Sequence, residues 1–220
     1  MKLLLKLLIT IIILSSVFFV AYRSFQLTSK PKTTQGRLIA YSQSEVQKSP
    51  FEEYIDLVIE IANSQPQYPV VDGITIYGER FGNPTFQWCT EFVMYCLEQA
   101  EIELNTTYID DIYPWKDSAY AVGLWYKKEN RYFTAGNYTP IKGDIILFDT
   151  SKNGYPDHTG LVIGTVHQYG IDFVLTIEGN IPNDVTPQIR IRQLPLDHPD
   201  IFAYGSCFTE IDYQGPLSYY

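Results

Sequence analysis

Residues Trp88–Leu97 read WCTEFVMYCL. Apolar side chains recur at helical spacing through Cys89, Phe92, Val93, Cys96, Leu97 and then Ala100, which predicts a helix over about Cys89–Ala100. Cys89 falls at its start, after a loop rich in turn residues. A thiol there feels the positive end of the helix dipole, which favours the thiolate. On position alone it is a candidate nucleophile, against the plainer reading of a small buried hydrophobe. Cys96 lies seven residues later on the same face and reads as core.

Upstream, a helix pattern begins at Ser49-Pro50. Phe51, Tyr54, Ile55, Val58, Ile59 and Ala62 keep the 3.6-residue period, Glu52 and Glu53 sit in the first turn, and Asn63 and Pro66 end it. Residues 66–87 carry six Gly or Pro breaks and read as loop.

Downstream the period changes to that of strands. Asp144–Phe148, His158–Val166, Asp172–Glu178 and Gln188–Leu194 are short apolar runs, separated by turn signals such as Lys152-Asn153-Gly154 and Tyr169-Gly170. Helices first and consecutive strands afterwards predict an α+β fold, with helices packed on a small antiparallel sheet. The aromatic-rich stretch Tyr108–Tyr138 reads as an inserted helix with core aromatics, the rival reading being a binding surface. Cys207 lies in a strand-like stretch, Phe202–Phe208, and reads as structural. A pairing with Cys96 stays open if the compartment is oxidising.

The amino-terminal end is a different kind of sequence. Residues 3–22, LLLKLLITIIILSSVFFVAY, are 20 residues with one charge, Lys6. That is long enough to span a bilayer core as one transmembrane helix. We read residues 1–22 as an uncleaved membrane anchor. A secretory signal peptide is the rival, disfavoured by the lack of a small-x-small cleavage pattern around Phe18–Tyr22. Either reading places the rest outside the cytoplasm. The bias of basic residues does not support that orientation, because four of them follow the run, while Lys2 precedes it and Lys6 lies near its start. The polar residues 23–50 read as a linker, leaving 51–220 as the folded domain.

Charge divides the chain at the same place. The net charge is −9, yet residues 1–37 hold six basic residues and no acidic one, so residues 38–220 carry −15. A domain this acidic excludes electrostatic binding to nucleic acid. Three cysteines and three histidines neither build a disulfide scaffold nor make a rich source of zinc ligands.

Among the histidines, His158 opens a strand directly after the turn-rich loop SKNGYPD, while His167 and His198 lie in turns and read as surface. Glu178 and Asn180 flank Gly179 at the end of the next strand. A spacing of two puts both on one face with Thr176. An acid or amide there can orient an imidazole on the neighbouring strand. Each feature has a bland reading alone. Together they give cysteine on a helix, histidine on a strand and acid or amide on the following strand.

In that order the chain resembles the CHAP family, the cysteine- and histidine-dependent amidohydrolases/peptidases with a papain-like core. The matching segments are Tyr77-Gly78, WCTEFVMYCL (88–97), KGDIILF (142–148), HTGLVIG (158–164) and IEGN (177–180), spread over roughly residues 51–210. The resemblance implies Cys89 as nucleophile, His158 as general base, Glu178 as the residue that orients the imidazole, and Asn180 as a polar neighbour. The Cys89 backbone N–H would be one oxyanion donor, with Gln87 and Tyr77 as candidates for a second. Asp144 reads as structural. Some members carry a calcium loop, but the corresponding loop here offers only Asp72 and Glu79, so no metal and no cofactor is expected.

The expected activity is peptidoglycan hydrolysis at an amide bond, as a muramoyl-alanine amidase or a peptide-stem endopeptidase. The expected partners are peptidoglycan or a peptide, and the membrane through residues 3–22. Two other readings stand beside it. One is an amidase acting on a small amide conjugate. The other is a catalytically silent, membrane-tethered binding module.

Overall fold

The first helix, α1 (Pro50–Ser64), shows why a chain with this sequence turns helical where it does. Ser49 caps it by accepting from the Glu52 backbone N–H at 3.2 Å, and Glu52 accepts in return from the Ser49 N–H at 2.7 Å. Pro50 at the first position needs no N–H partner. The buried stripe Tyr54, Ile55, Val58 and Ala62 packs on the helix that begins at Cys89, where the Tyr54 hydroxyl donates to Leu97 O at 3.1 Å.

The computed structural model describes residues 48–83, 87–182 and 184–208. The apolar run 3–22 and most of the linker lie outside them. Among the described residues, no helix is long and apolar enough to cross a membrane. The remaining helices are α2 (Ile76–Arg80), α3 (Cys89–Leu104) and α4 (Ala119–Lys128). The strands are β1 (Tyr132–Thr134), β2 (Ile145–Phe148), β3 (His158–Gln168), β4 (Ile171–Gly179), β5 (Ile189–Pro195) and β6 (Ile201–Gly205). They form one antiparallel sheet in the order β1-β6-β2-β3-β4-β5.

This is the expected α+β order, helices first and an antiparallel sheet after. Alternation gives the sheet two faces. Ile145, Leu147, Leu161, Ile177 and Ala203 join the side chains of α1 and α3 in the main core. Ile146, Phe148, Val162, Val174, Leu194 and Tyr204 form a second, smaller cluster on the other face. Helix α3 lies against β3 and β4, while α4 lies against β1, β2 and β6.

Some boundaries differ from the sequence reading. Residues 66–87 are not all loop, because Thr75 accepts from the Gly78 N–H and caps α2, a helix too short to show a period. Strand β6 ends at Gly205, so Cys207 lies beyond it, where its N–H donates to Asp144 Oδ1 at 2.9 Å. All three cysteines are free thiols, and the Cys207 sulfur meets Lys142 O rather than Cys96. The buried Asp144 carboxylate also accepts from the Ile141 N–H and the Tyr138 hydroxyl, both at 2.8 Å, and so ties the turn before β2 to the end of β6. The aromatic stretch is mainly core. Tyr113 and Tyr126 are buried, and Trp115 stacks on Phe81 with ring centroids 4.6 Å apart.

Candidate active site

Cys89 is the first residue of α3 and is 4% exposed. Its helix start has no side-chain cap, so the first-turn N–H groups are left for another acceptor. The first intrahelical bond runs from Phe92 N to Trp88 O at 2.9 Å. Two contacts hold this end of the helix at the sheet. The Thr90 hydroxyl donates to Thr159 Oγ1 on β3 at 3.2 Å. Gly179 on β4 leaves room for the Trp88 and Phe92 rings, since a Cβ there would sit 2.4 Å from Trp88 Cζ3.

His158 opens β3 beside Cys89, and two aspartates shape the loop that delivers it. Asp149 accepts from the N–H groups of Asn153 and Gly154, and Asp157 from those of Thr150 and Ser151. The Asp157 N–H donates to Phe148 O at 2.8 Å, which starts the β2–β3 pairing at Phe148 and His158. The two rings lie 5.4 Å apart.

Glu178 follows Ile177, which pairs with Leu161 of β3, and its side chain lies over Gly160, on the face away from α3. A Cβ on Gly160 would lie 2.6 Å from Glu178 Cγ. The glycine therefore lets the carboxylate lie flat on the sheet and reach along it to His158. Glu178 Oε2 meets His158 Nε2 at 2.8 Å, and both residues are completely buried. Oε1 accepts from the Thr176 hydroxyl at 2.5 Å, and Oε2 also accepts from Arg192 Nη1 at 3.0 Å. With an ionised Glu178, Nε2 carries the proton. The other nitrogen, Nδ1, is buried and has no hydrogen-bond partner among the described residues.

The ionisation of the three groups follows from this arrangement. Burial alone pushes the Cys89 thiol up, but the imidazole of the neighbouring His158 outweighs it, helped by Thr159 and Thr90, and holds it below the usual thiol value. Burial opposes charge on His158. The neighbouring Cys89 thiolate and the hydrogen-bonded Glu178 carboxylate outweigh that and raise it to about 9. Burial also opposes charge on Glu178, and His158, Arg192 and Thr176 keep it below the usual carboxylate value. The arrangement favours a thiolate–imidazolium pair backed by a carboxylate.

The other predicted residues are placed as follows. Gln87 is exposed, two positions before Cys89. Tyr77 does not serve as an oxyanion donor here. It is fully buried among Trp88, Phe92 and Tyr95, and its hydroxyl donates to Gln65 Oε1 at 3.1 Å. Asn180 follows β4 in a left-handed conformation, φ 53°, with its N–H on Gln188 O. Among the described residues no hydrogen bond joins its side chain to the imidazole. Beside these, Glu91 in the first turn of α3 is buried and raised to about 7, first by burial and then by the nearby charge of Asp117.

Arg192 and Gly160 are part of the site and were missed in the sequence. Arg192 belongs to an alternation, Ile189-Arg190-Ile191-Arg192, that reads as an ordinary strand. Only the register, which pairs Arg192 with Thr176, shows that its reach ends at Glu178. Among curated proteins and among solved structures, nothing matches the chain. Residues 81–180, a segment that contains Cys89, His158 and Glu178, match the family model of the CHAP domain, and this supports the family resemblance that the motifs carry.

Proposed function

We propose that the chain is a peptidoglycan hydrolase that cuts an amide bond with Cys89, His158 and Glu178, as a muramoyl-alanine amidase or a stem endopeptidase on a papain-like core. The observation that carries this reading is the imidazole held by a buried carboxylate through Nε2, with Nδ1 unpartnered and the thiol beside it.

In the proposed cycle the Cys89 thiolate attacks the amide carbonyl. The C=O electron pair moves to oxygen, and the oxyanion accepts from the Cys89 N–H at the uncapped start of α3. The exposed Gln87 is the candidate second donor. The imidazolium gives its Nδ1 proton to the leaving nitrogen, the C–N bond breaks and a thioester remains. Neutral His158 then takes a proton from water as that water attacks the thioester. The C–S bond breaks, the carboxylic acid leaves and the thiolate–imidazolium pair is restored. Glu178 fixes the tautomer throughout.

The apolar run 3–22 supports tethering at the membrane, with the domain on the outer side where peptidoglycan lies. A strongly acidic domain gains little from electrostatic adhesion to an anionic wall, and an anchor would keep it there.

The pH dependence tests the ion-pair form. Hydrolysis should begin below the usual thiol range and fall as pH rises through about 9, where His158 loses the proton that the leaving amine needs. The measurement is kcat/KM of the soluble domain on muropeptide between pH 4 and 10. An activity that first appears near the free-thiol pKa of roughly 8.5 would contradict the ion pair.

A further inference from the structure

We infer that Arg192 is a positioning residue of this site, the counter-charge that keeps the Glu178 carboxylate in place when the imidazole is neutral. The inference rests on the Cys89–His158–Glu178 reading above. Its starting point is that one oxygen, Glu178 Oε2, meets both His158 Nε2 at 2.8 Å and Arg192 Nη1 at 3.0 Å. Glu178 is fully buried, and a buried carboxylate with no cation beside it is costly.

The charges can be followed through the cycle. At rest the site holds a thiolate, an imidazolium, a carboxylate and a guanidinium, two of each sign. In the thioester the thiolate has been consumed and the imidazolium has given up its proton. Only the carboxylate and the guanidinium remain charged, and they still balance. Without Arg192 the thioester stage would leave Glu178 as a lone buried charge. It would then tend to take up a proton and stop accepting from Nε2.

The surroundings leave this part to Arg192. Its side chain is 21% exposed, and its guanidinium sits 5.6 Å over the Phe148 ring, the same ring that packs on His158. The charged groups around Glu178 are His158 from β3 and Arg192 and Arg190 from β5. Arg190 stands opposite Glu178 in register, but it pairs with Asp184 at 3.0 Å. Thr176 on β4 occupies the other oxygen. Helix α3 acts on Glu178 through His158, by way of Cys89.

The test uses iodoacetamide, which needs no natural substrate. The alkylation rate of Cys89 is measured against pH in the folded soluble domain, read by peptide mass spectrometry, with Cys89→Ala as the control. Cys96 and Cys207 are pushed well above the usual thiol value by burial and do not compete at low pH. In the wild type the thiolate should appear below the free-thiol range. In Arg192→Gln the acid limb should move up by about one pH unit, because Glu178 without its guanidinium is harder to ionise and then gives less support to the imidazolium that holds the Cys89 thiolate. At pH values on that limb the rate falls about tenfold. Arg192→Lys should bring the limb back, since it restores the charge.

If Arg192→Gln lowers the rate without moving the limb, the residue is only structural and the inference is overturned. The same holds if Arg192→Lys matches Arg192→Gln. Should Arg192→Gln not fold, Arg192→Lys and Arg192→Met with matched melting temperatures carry the comparison. If the wild type itself shows no thiolate below the free-thiol range, the catalytic reading fails first and the role of Arg192 falls with it.

Discussion

Glu178→Gln should lower kcat/KM on a soluble muropeptide by about 10²–10⁴-fold while the protein stays folded. Three contacts end on this carboxylate, from His158 Nε2, the Thr176 hydroxyl and Arg192 Nη1. Glutamine keeps the shape but turns one acceptor oxygen into a donor and removes the charge. A carboxamide no longer selects the tautomer with the proton on Nε2, and the imidazolium loses its buried counter-ion. Arg192 then lacks a partner as well, so some stability should be lost, visible as a lower melting temperature. The measurement is steady-state hydrolysis beside a thermal melt. Activity within threefold of wild type would contradict the role of Glu178.

Gly160→Ala should produce a similar defect without touching any chemical group. Its Cβ would sit 2.6 Å from Glu178 Cγ and 3.2 Å from Ile146 Cγ2. The Cγ lies mid-chain, so the carboxylate cannot avoid the methyl and still reach His158. Displacing a positioned group by about 1 Å costs on the order of 10²-fold in rate. Crowding of this kind costs about 1–3 kcal/mol of stability. The diagnostic result is non-additivity: Gly160→Ala combined with Glu178→Gln should be no slower than Glu178→Gln alone. Multiplying defects in the double variant would show that Gly160 acts by another route.

These two residues also show what the sequence made legible. Cys89 could be found because it starts a helix with a clear apolar stripe, and His158 and Glu178 because each stands at the end of a strand with strong alternation. Residues at the ends of well-patterned elements can be placed from local periodicity. Gly160 could not be read this way, because its importance depends on which residue lies across the ladder. Arg192 is the same case: its alternation was visible, but its partner is set by the β4–β5 register.

Tyr77 failed for the opposite reason. Its motif position pointed to the site, but three aromatic neighbours and Gln65 hold it in the core. Asn180 was grouped with Glu178 on a strand period that ends at Gly179. A left-handed residue follows, and the alternation no longer applies. The short helix α2 was lost because five residues are too few for a period.

The central claim is Cys89-dependent cleavage of an amide bond in peptidoglycan. Its most direct test is a digest of purified peptidoglycan with residues 38–220, analysed by mass spectrometry beside Cys89→Ala. The account predicts either intact stem peptides or fragments cut inside the stem or bridge, absent with Cys89→Ala. The first would mark an amidase and the second an endopeptidase. No Cys89-dependent product from several wall types would contradict it, and would turn attention to small amide conjugates or to a binding role without catalysis.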